Sequence, residues 1–172
     1  MEYFVGDTHF YNKEILRYDN RPYHSVEEMN LDIISRINLL ITPQDICWFV
    51  GDIADCDDEQ KIAEFLDKIN GQKRMILGNH DIAHLDFYRN YFGSHFYEYP
   101  IILDEFWMVS HEPMYVTLNA PYANIFAHVH NNPMYKTISP RSFCVSWDRW
   151  NRPVSFDEIK DNVRKAAARE EF

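Results

Sequence analysis

The chain is 172 residues long, a length that suits one domain, residues 1–172, able to bury about two-thirds of the surface its unfolded form exposes. Apolar residues make up 46% and charged residues 26%, ordinary globular usage with no sign of disorder, fibre or membrane. A formal net charge of -10 argues against a broad basic face for duplex nucleic acid, and it fits carboxylates that a bound cation would neutralise.

In chain order, Tyr3 to Val5 reads as a buried strand stopping at Gly6-Asp7. Ser25 and Glu28 form a capping box, and Val26, Met29, Ile33, Ile34 and Ile37 recur at helical spacing, so a helix is expected to run to about Leu40. Ile46 to Val50 is a second strand, ending at Gly51-Asp52. Gln60 to Ile69 is a second helix, with Gly71 at its end, and Arg74 to Leu77 a third strand, ending at Gly78-Asn79. This alternation builds a parallel sheet through right-handed crossovers, and ligands of such sheets bind beyond the carboxyl ends of the strands. The second half holds shorter apolar runs, Ile101 to Leu103, Phe106 to Val109, Asn124 to Ala127 and Phe143 to Val145, expected as strands of a second sheet. Ser155 and Glu158 cap a C-terminal helix to about Ala168, and Arg169 to Phe172 are expected to fray.

Three cysteines, Cys47, Cys56 and Cys144, are widely spaced and form no CxxC pair, so free buried thiols are expected. The first residues contain no basic leader, and no apolar span is long enough for a membrane; a cytoplasmic location is the expectation.

Polar clusters stand at the ends of the expected strands: Asp7-Thr8-His9, Gly51-Asp52-Ile53-Ala54-Asp55, Gly78-Asn79-His80-Asp81, His111-Glu112-Pro113 and Ala127-His128-Val129-His130. Five of the eight histidines fall in them, leaving His24, His84 and His95 for ordinary surface or core duties. Hydrolysis of a phosphate ester needs a nucleophile better than neutral water, and two cations about 3.5 to 4 Å apart can supply it. Carboxylate and imidazole donors suit Mn, Fe, Zn or Ni, and the missing thiolates argue against a closed structural zinc site.

These clusters resemble, in order and over Asp7 to His130, the calcineurin-like metallophosphoesterases, whose pattern is DxH, GDxxD, GNHD or GNHE, an isolated His, and GHxH. The resemblance implies a four-layer α/β/β/α sandwich of two mixed sheets flanked by helices. It also implies two divalent metal ions, Mn favoured, with a bridging hydroxide as nucleophile. It assigns Asp7, His9 and His130 to one ion, Asn79, His111 and His128 to the other, and Asp52 to both. His80 is expected to be the general acid and Asp81 to orient it. Ala127 stands where the family usually has glycine, which puts the fine geometry of that loop in question.

Beside each of these stands a plainer reading. Asp7 and Asp52 taken singly are turn or cap residues, and Gly78-Asn79 is good turn chemistry; their joint occurrence favours the site. His128 and His130, two apart in a strand, would point to one face. Glu112 is expected to be exposed or to support the site from outside. Asn12, Arg17 and Arg21 are candidate substrate contacts, with a salt bridge to Glu27 and Glu28 the alternative for Arg21. Trp147, Trp150, Tyr115 and Tyr122 can stack on a base, though aromatics near sheets belong more often to the core. The expected activity is hydrolysis of a small phosphodiester or nucleotide, with no duplex nucleic acid and no membrane as partner. A nuclease acting on single-stranded DNA or RNA is the alternative, and a non-catalytic scaffold the third reading.

Overall fold

Runs of large apolar residues bounded by Gly-Asp turns fold as the central strands, because both faces of each strand are covered. The computed structural model describes residues 1–117, 119–133 and 139–169. In chain order it contains β1 (Glu2–Val5), α1 (Ile15–Tyr18), α2 (Val26–Leu40), β2 (Ile46–Val50), α3 (Glu59–Leu66), β3 (Gln72–Ile76), α4 (Leu85–Phe92) and β4 (Phe96–Tyr97). It continues with β5 (Ile101–Leu103), β6 (Trp107–Val109), β7 (Ala123–Phe126), β8 (Ser142–Cys144), α5 (Trp147–Trp150), β9 (Val154–Ser155) and α6 (Phe156–Ala167).

The first sheet has the order β4-β3-β2-β1-β9, parallel throughout except for β9. The second has the order β5-β6-β7-β8, with only β5 antiparallel to its neighbour. Both sheets are therefore mixed. Alternate residues of the first sheet divide between two cores. Tyr3, Val5, Cys47, Phe49 and Met75 join Met29, Ile33 and Ile37 of α2, Ile62, Phe65 and Leu66 of α3, and Tyr88 and Phe92 of α4. Phe4, Trp48, Val50 and Ile76 face the other way, onto Val109, Ile125 and Val145 of the second sheet segment, and α6 enters this same core through Phe156, Ile159 and Val163. Two mixed sheets with flanking helices make the α/β/β/α sandwich.

The register places the site. Val5 stands opposite Phe49, and Phe49 opposite Met75, so β1, β2 and β3 finish level with one another and their following loops share one edge. Ser25 caps α2 as expected, accepting from the Glu28 amide at 3.1 Å, while the Glu28 carboxylate takes the His24 amide at 2.7 Å. The second helix starts one residue earlier than expected, on the Asp58 cap, and ends at Leu66. The Lys68 and Ile69 amides then bond three residues back, so the chain continues as a tighter turn in which Ile69 is still buried. The helix α4 was not among the expected elements, although Leu85, Tyr88 and Phe92 lie at helical spacing. Of the three thiols, Cys47 and Cys144 are buried and Cys56 is half-buried. The end of the C-terminal segment, 170–172, lies outside the described residues. Among the described residues no helix is long and apolar enough to cross a membrane.

Candidate metal centre

Beyond the strand ends the loops after β1 and β2 run side by side. The amides of Asp7, His9 and Phe10 donate to the carbonyls of Gly51, Asp52 and Ile53 at 2.8–3.1 Å. Asp7, His9, Asp52, His128 and His130 all have positive φ, between 47° and 67°. That region is unfavourable for most residues and least so for Asn, Asp and His, so the residue types that carry the chemistry are also those that tolerate the bend. Gly51 takes φ +79°, and a Cβ there would lie 2.3 Å from Nδ1 of His111. Only glycine lets that ring come so close.

Each candidate carboxylate is tied down by one oxygen. Asp7 accepts the His128 amide on Oδ1 at 2.9 Å, and Asp52 accepts the His80 amide on Oδ1 at 2.9 Å. Oδ2 of Asp52 lies 3.7 Å from Nε2 of His9 and 3.3 Å from Nε2 of His111, between two groups of donors. On one side are Asp7, His9 and His130; on the other are His111 and His128, with Oδ1 of Asn79 at 3.1 and 3.0 Å from their ring nitrogens. The imidazoles are oriented from behind: Nδ1 of His9 by Asp55 at 2.7 Å, Nδ1 of His111 by the Val50 carbonyl at 2.9 Å, and Nδ1 of His130 by Asp148 at 2.8 Å. This is how imidazoles are held when the opposite nitrogen faces a cation. Oδ2 of Asp7 and Nε2 of His9 are buried without any hydrogen-bond partner. Buried polar atoms are normally paired, so these two await something the protein itself does not provide. An oxygen- and nitrogen-rich donor set of this kind fits divalent ions.

The charges respond to one another. Burial lowers the His111 pKa, but its hydrogen bond with Asp52 and the charges of Asp52 and Asp7 outweigh that and push it up to about 9. Burial likewise lowers His130, and Asp148 and Asp19 overcome it, to about 10. Burial would raise Asp55, yet its bonds to His9, Asn12 and His80 hold it well below the usual carboxylate range. Burial and the charge of Asp52 push Asp81 up to about 6. At both histidines the neighbouring carboxylates favour positive charge more strongly than burial opposes it.

Several expectations require correction. Asp81 does not orient His80. Its carboxylate, fully buried, accepts the amides of Asp52, Ile53 and Gly78 at 2.7–2.9 Å and so fixes the two loops to each other. The residue that holds His80 is Asp55, whose Oδ1 meets Nδ1 of His80 at 2.7 Å while its Oδ2 serves His9. Asp55 stood in the second motif, and its spacing from Asp52 was the available signal. Arg21 grips neither a phosphate nor Glu27 and Glu28. Its guanidinium is buried, bidentate to Asp148 at 2.7 and 2.8 Å, with further bonds to the carbonyls of Thr8 and Asp7. Arg17 is exposed beside Glu14 on α1. Asn12 reaches Asp55 at 2.9 Å through its amide nitrogen, and its oxygen accepts the Glu14 and Ile15 amides. Arg21 and Asn12 are thus spent on the protein, while Arg17 stays open to solvent. His128 and His130 lie beyond β7, not in it. The Val129 amide bonds the Ala127 carbonyl at 2.8 Å around His128, a γ-turn at positive φ, which sends the two rings to the two donor groups. Asp148 was missed because its partners Arg21 and His130 lie 127 and 18 residues away, with no motif to connect them. Glu112 is exposed, Trp147 is buried in the core and Tyr115 is 78% exposed.

Two mixed sheets with flanking helices, carrying clustered His and carboxylate groups at the strand ends, define an α/β/β/α sandwich with a candidate metal site. Residues 3–166 match the calcineurin-like phosphoesterases, and the chain belongs to that family. It is 34% identical over 169 residues to the uncharacterized protein MJ1445 of Methanocaldococcus jannaschii, covering 95% of this chain and 91% of that one. The crystal structure of the protein of unknown function AQ665 from Aquifex aeolicus has the same fold, with a TM-score of 0.70 at 22% identity, over 94% of this chain and 98% of that one.

Proposed function

We propose that the chain hydrolyses small phosphate esters at two divalent ions, Mn favoured. Asp7, His9 and His130 would hold one ion, Asn79, His111 and His128 the other, and Asp52 would serve both. The observation that carries this reading is the position of Asp52 Oδ2, 3.7 Å from His9 Nε2 and 3.3 Å from His111 Nε2, beside buried Asp7 and His9 atoms that lack partners. When bound, such ions supply an activated water and neutralise charge on the phosphoryl oxygens.

The chain's own residues do the rest. Asp55 fixes His80 through Nδ1 at 2.7 Å, leaving Nε2 on a ring that is 43% exposed at the mouth of the site. That anchoring supports a role for His80 as the general acid toward the leaving oxygen. Asp81 keeps the loop that carries Asn79 and His80 docked against the Asp52 loop. The net charge of -10 favours a small diester or nucleotide over a duplex.

Metal analysis joined to turnover of an aryl phosphodiester tests this. The wild type is expected to bind two Mn per chain. His80→Ala is expected to keep both while losing about 100- to 10,000-fold in turnover, and Asp52→Ala to lose metal and activity together. At most one ion in the wild type, or loss of metal from His80→Ala, overturns the assignment.

A further inference from the structure

A cavity of about 510 Å³ opens beside the centre, bordered by Asn79 and His111 on one side. Its outer wall is apolar and unusually exposed: Tyr99 at 76%, Ile82 at 59% and Met114 at 37%. Large apolar side chains left open to water beside a reactive centre are suited to cover part of a ligand. The remaining charged groups of the wall are Glu98 and Glu112. Glu98 gives Oε1 to Arg89 at 2.6 and 3.1 Å. Glu112, next to His111, is exposed. Among the described residues lining the cavity there is no Lys or Arg.

We infer that this cavity is the subsite for the organic group of the ester, and that it takes a planar aromatic group bearing hydrogen-bond donors, a nucleoside attached to a single phosphorus. The inference rests on the hydrolytic reading above and adds substrate class to it. Tyr99, Ile82 and Met114 offer a ring face, an aliphatic edge and a polarizable thioether for a flat ring. A carboxylate accepts and never donates when ionised, so Glu112 selects hydroxyl or amino groups. Glu98 is offset by its ion pair with Arg89, but the exposed Glu112 carboxylate beside His111 repels further phosphates. A nucleoside di- or triphosphate, or a long strand, is therefore disfavoured where a nucleoside monoester or diester is accepted.

Two measurements test this, one with turnover and one without. The first compares kcat/KM for thymidine 5′-(p-nitrophenyl) phosphate and methyl p-nitrophenyl phosphate, which release the same group, in the Mn-loaded wild type and in Tyr99→Ser and Glu112→Lys. Stacking on one aromatic side chain is worth about tenfold or more. The wild type should prefer the nucleoside ester by about that factor, and Tyr99→Ser should bring the ratio towards one. Glu112→Lys should admit a nucleoside triphosphate that the wild type rejects. The second measurement titrates adenosine monophosphate and plain phenyl phosphate into the same proteins by calorimetry. Tighter binding of the nucleotide that is lost in Tyr99→Ser supports the subsite even where no ester is turned over, a result that would sink the hydrolytic reading alone. Equal treatment of both esters and Tyr99-independent binding, with turnover intact, overturns the subsite and leaves hydrolysis standing. A preference for phenyl phosphate equal to that for the nucleotide shows a plain aryl pocket and overturns the nucleoside assignment.

Discussion

A methyl group at Ala127 meets a missing one at Gly6. Ala127 is fully buried, and a Cβ built on Gly6 would lie 2.4 Å from its Cβ and 2.9 Å from the Val50 carbonyl oxygen. The doubt raised by alanine in place of the usual glycine is thereby answered, since the extra methyl occupies space that Gly6 leaves free. Gly6→Ala should therefore force apart β1 and the loop carrying His128, costing about 1–3 kcal/mol as an overpacked core does. Adding Ala127→Gly should recover part of that loss, and the Val50 oxygen should keep the rest. Thermal unfolding of both single variants and the double variant checks it: additive losses would show that the two methyl positions do not compete.

Among the described elements, a buried ion pair ties the loop between α1 and α2 to α5. Arg21 and Asp148 have side chains 2% and 5% exposed, and Asp148 also holds His130. Removing one partner of a buried ion pair strands the other charge. Arg21→Leu is accordingly expected to cost about 3–5 kcal/mol, whereas Arg17→Leu on exposed α1 should stay within about 0.5 kcal/mol. Denaturant midpoints measured for both variants decide this, and equal midpoints would mean that the buried pair contributes nothing. The same tie shows where sequence reasoning stops. Strands β1 to β3, the α2 cap and the polar clusters announce themselves by period, capping chemistry and strand-end position, all local properties. Local logic likewise explains why α4 could have been read from Leu85, Tyr88 and Phe92. What no local signal carries is pairing. Arg21 offers the same five donors to a phosphate, to Glu27 or to Asp148, and only the fold brings Asp148 to it. Asp55 and Asp81 illustrate the point at closer range: adjacency in sequence put Asp81 with His80, but a buried carboxylate goes to the unpaired amides around it, and the more open Asp55 reaches the ring.

For the whole molecule, the centre carries backbone strain and buried charge that a bound cation would relieve. Five residues there sit at positive φ, each a strain of about 1–3 kcal/mol in a non-glycine residue. Asp7 and Asp52 are buried together, and two polar atoms of Asp7 and His9 have no partner. Ions that bind the folded chain and not the unfolded one return that free energy by mass action, about 2.7 kcal/mol per site at a hundredfold excess over Kd. In a chain of 172 residues each kcal/mol moves the midpoint by about 2–4 °C. Saturating Mn should thus raise the Tm of the metal-stripped wild type by roughly 5 °C or more, and a chelator should reverse the rise. On the proposed assignment, in which Asp52 serves both ions, Asp52→Ala should lose most of that gain, while Tyr99→Ser, outside the donor set, should keep it. Differential scanning calorimetry of the three proteins with and without Mn distinguishes the outcomes. An equal rise in Asp52→Ala would place the ions elsewhere, and no rise in the wild type would mean that the strained, carboxylate-rich centre is built for something other than divalent cations.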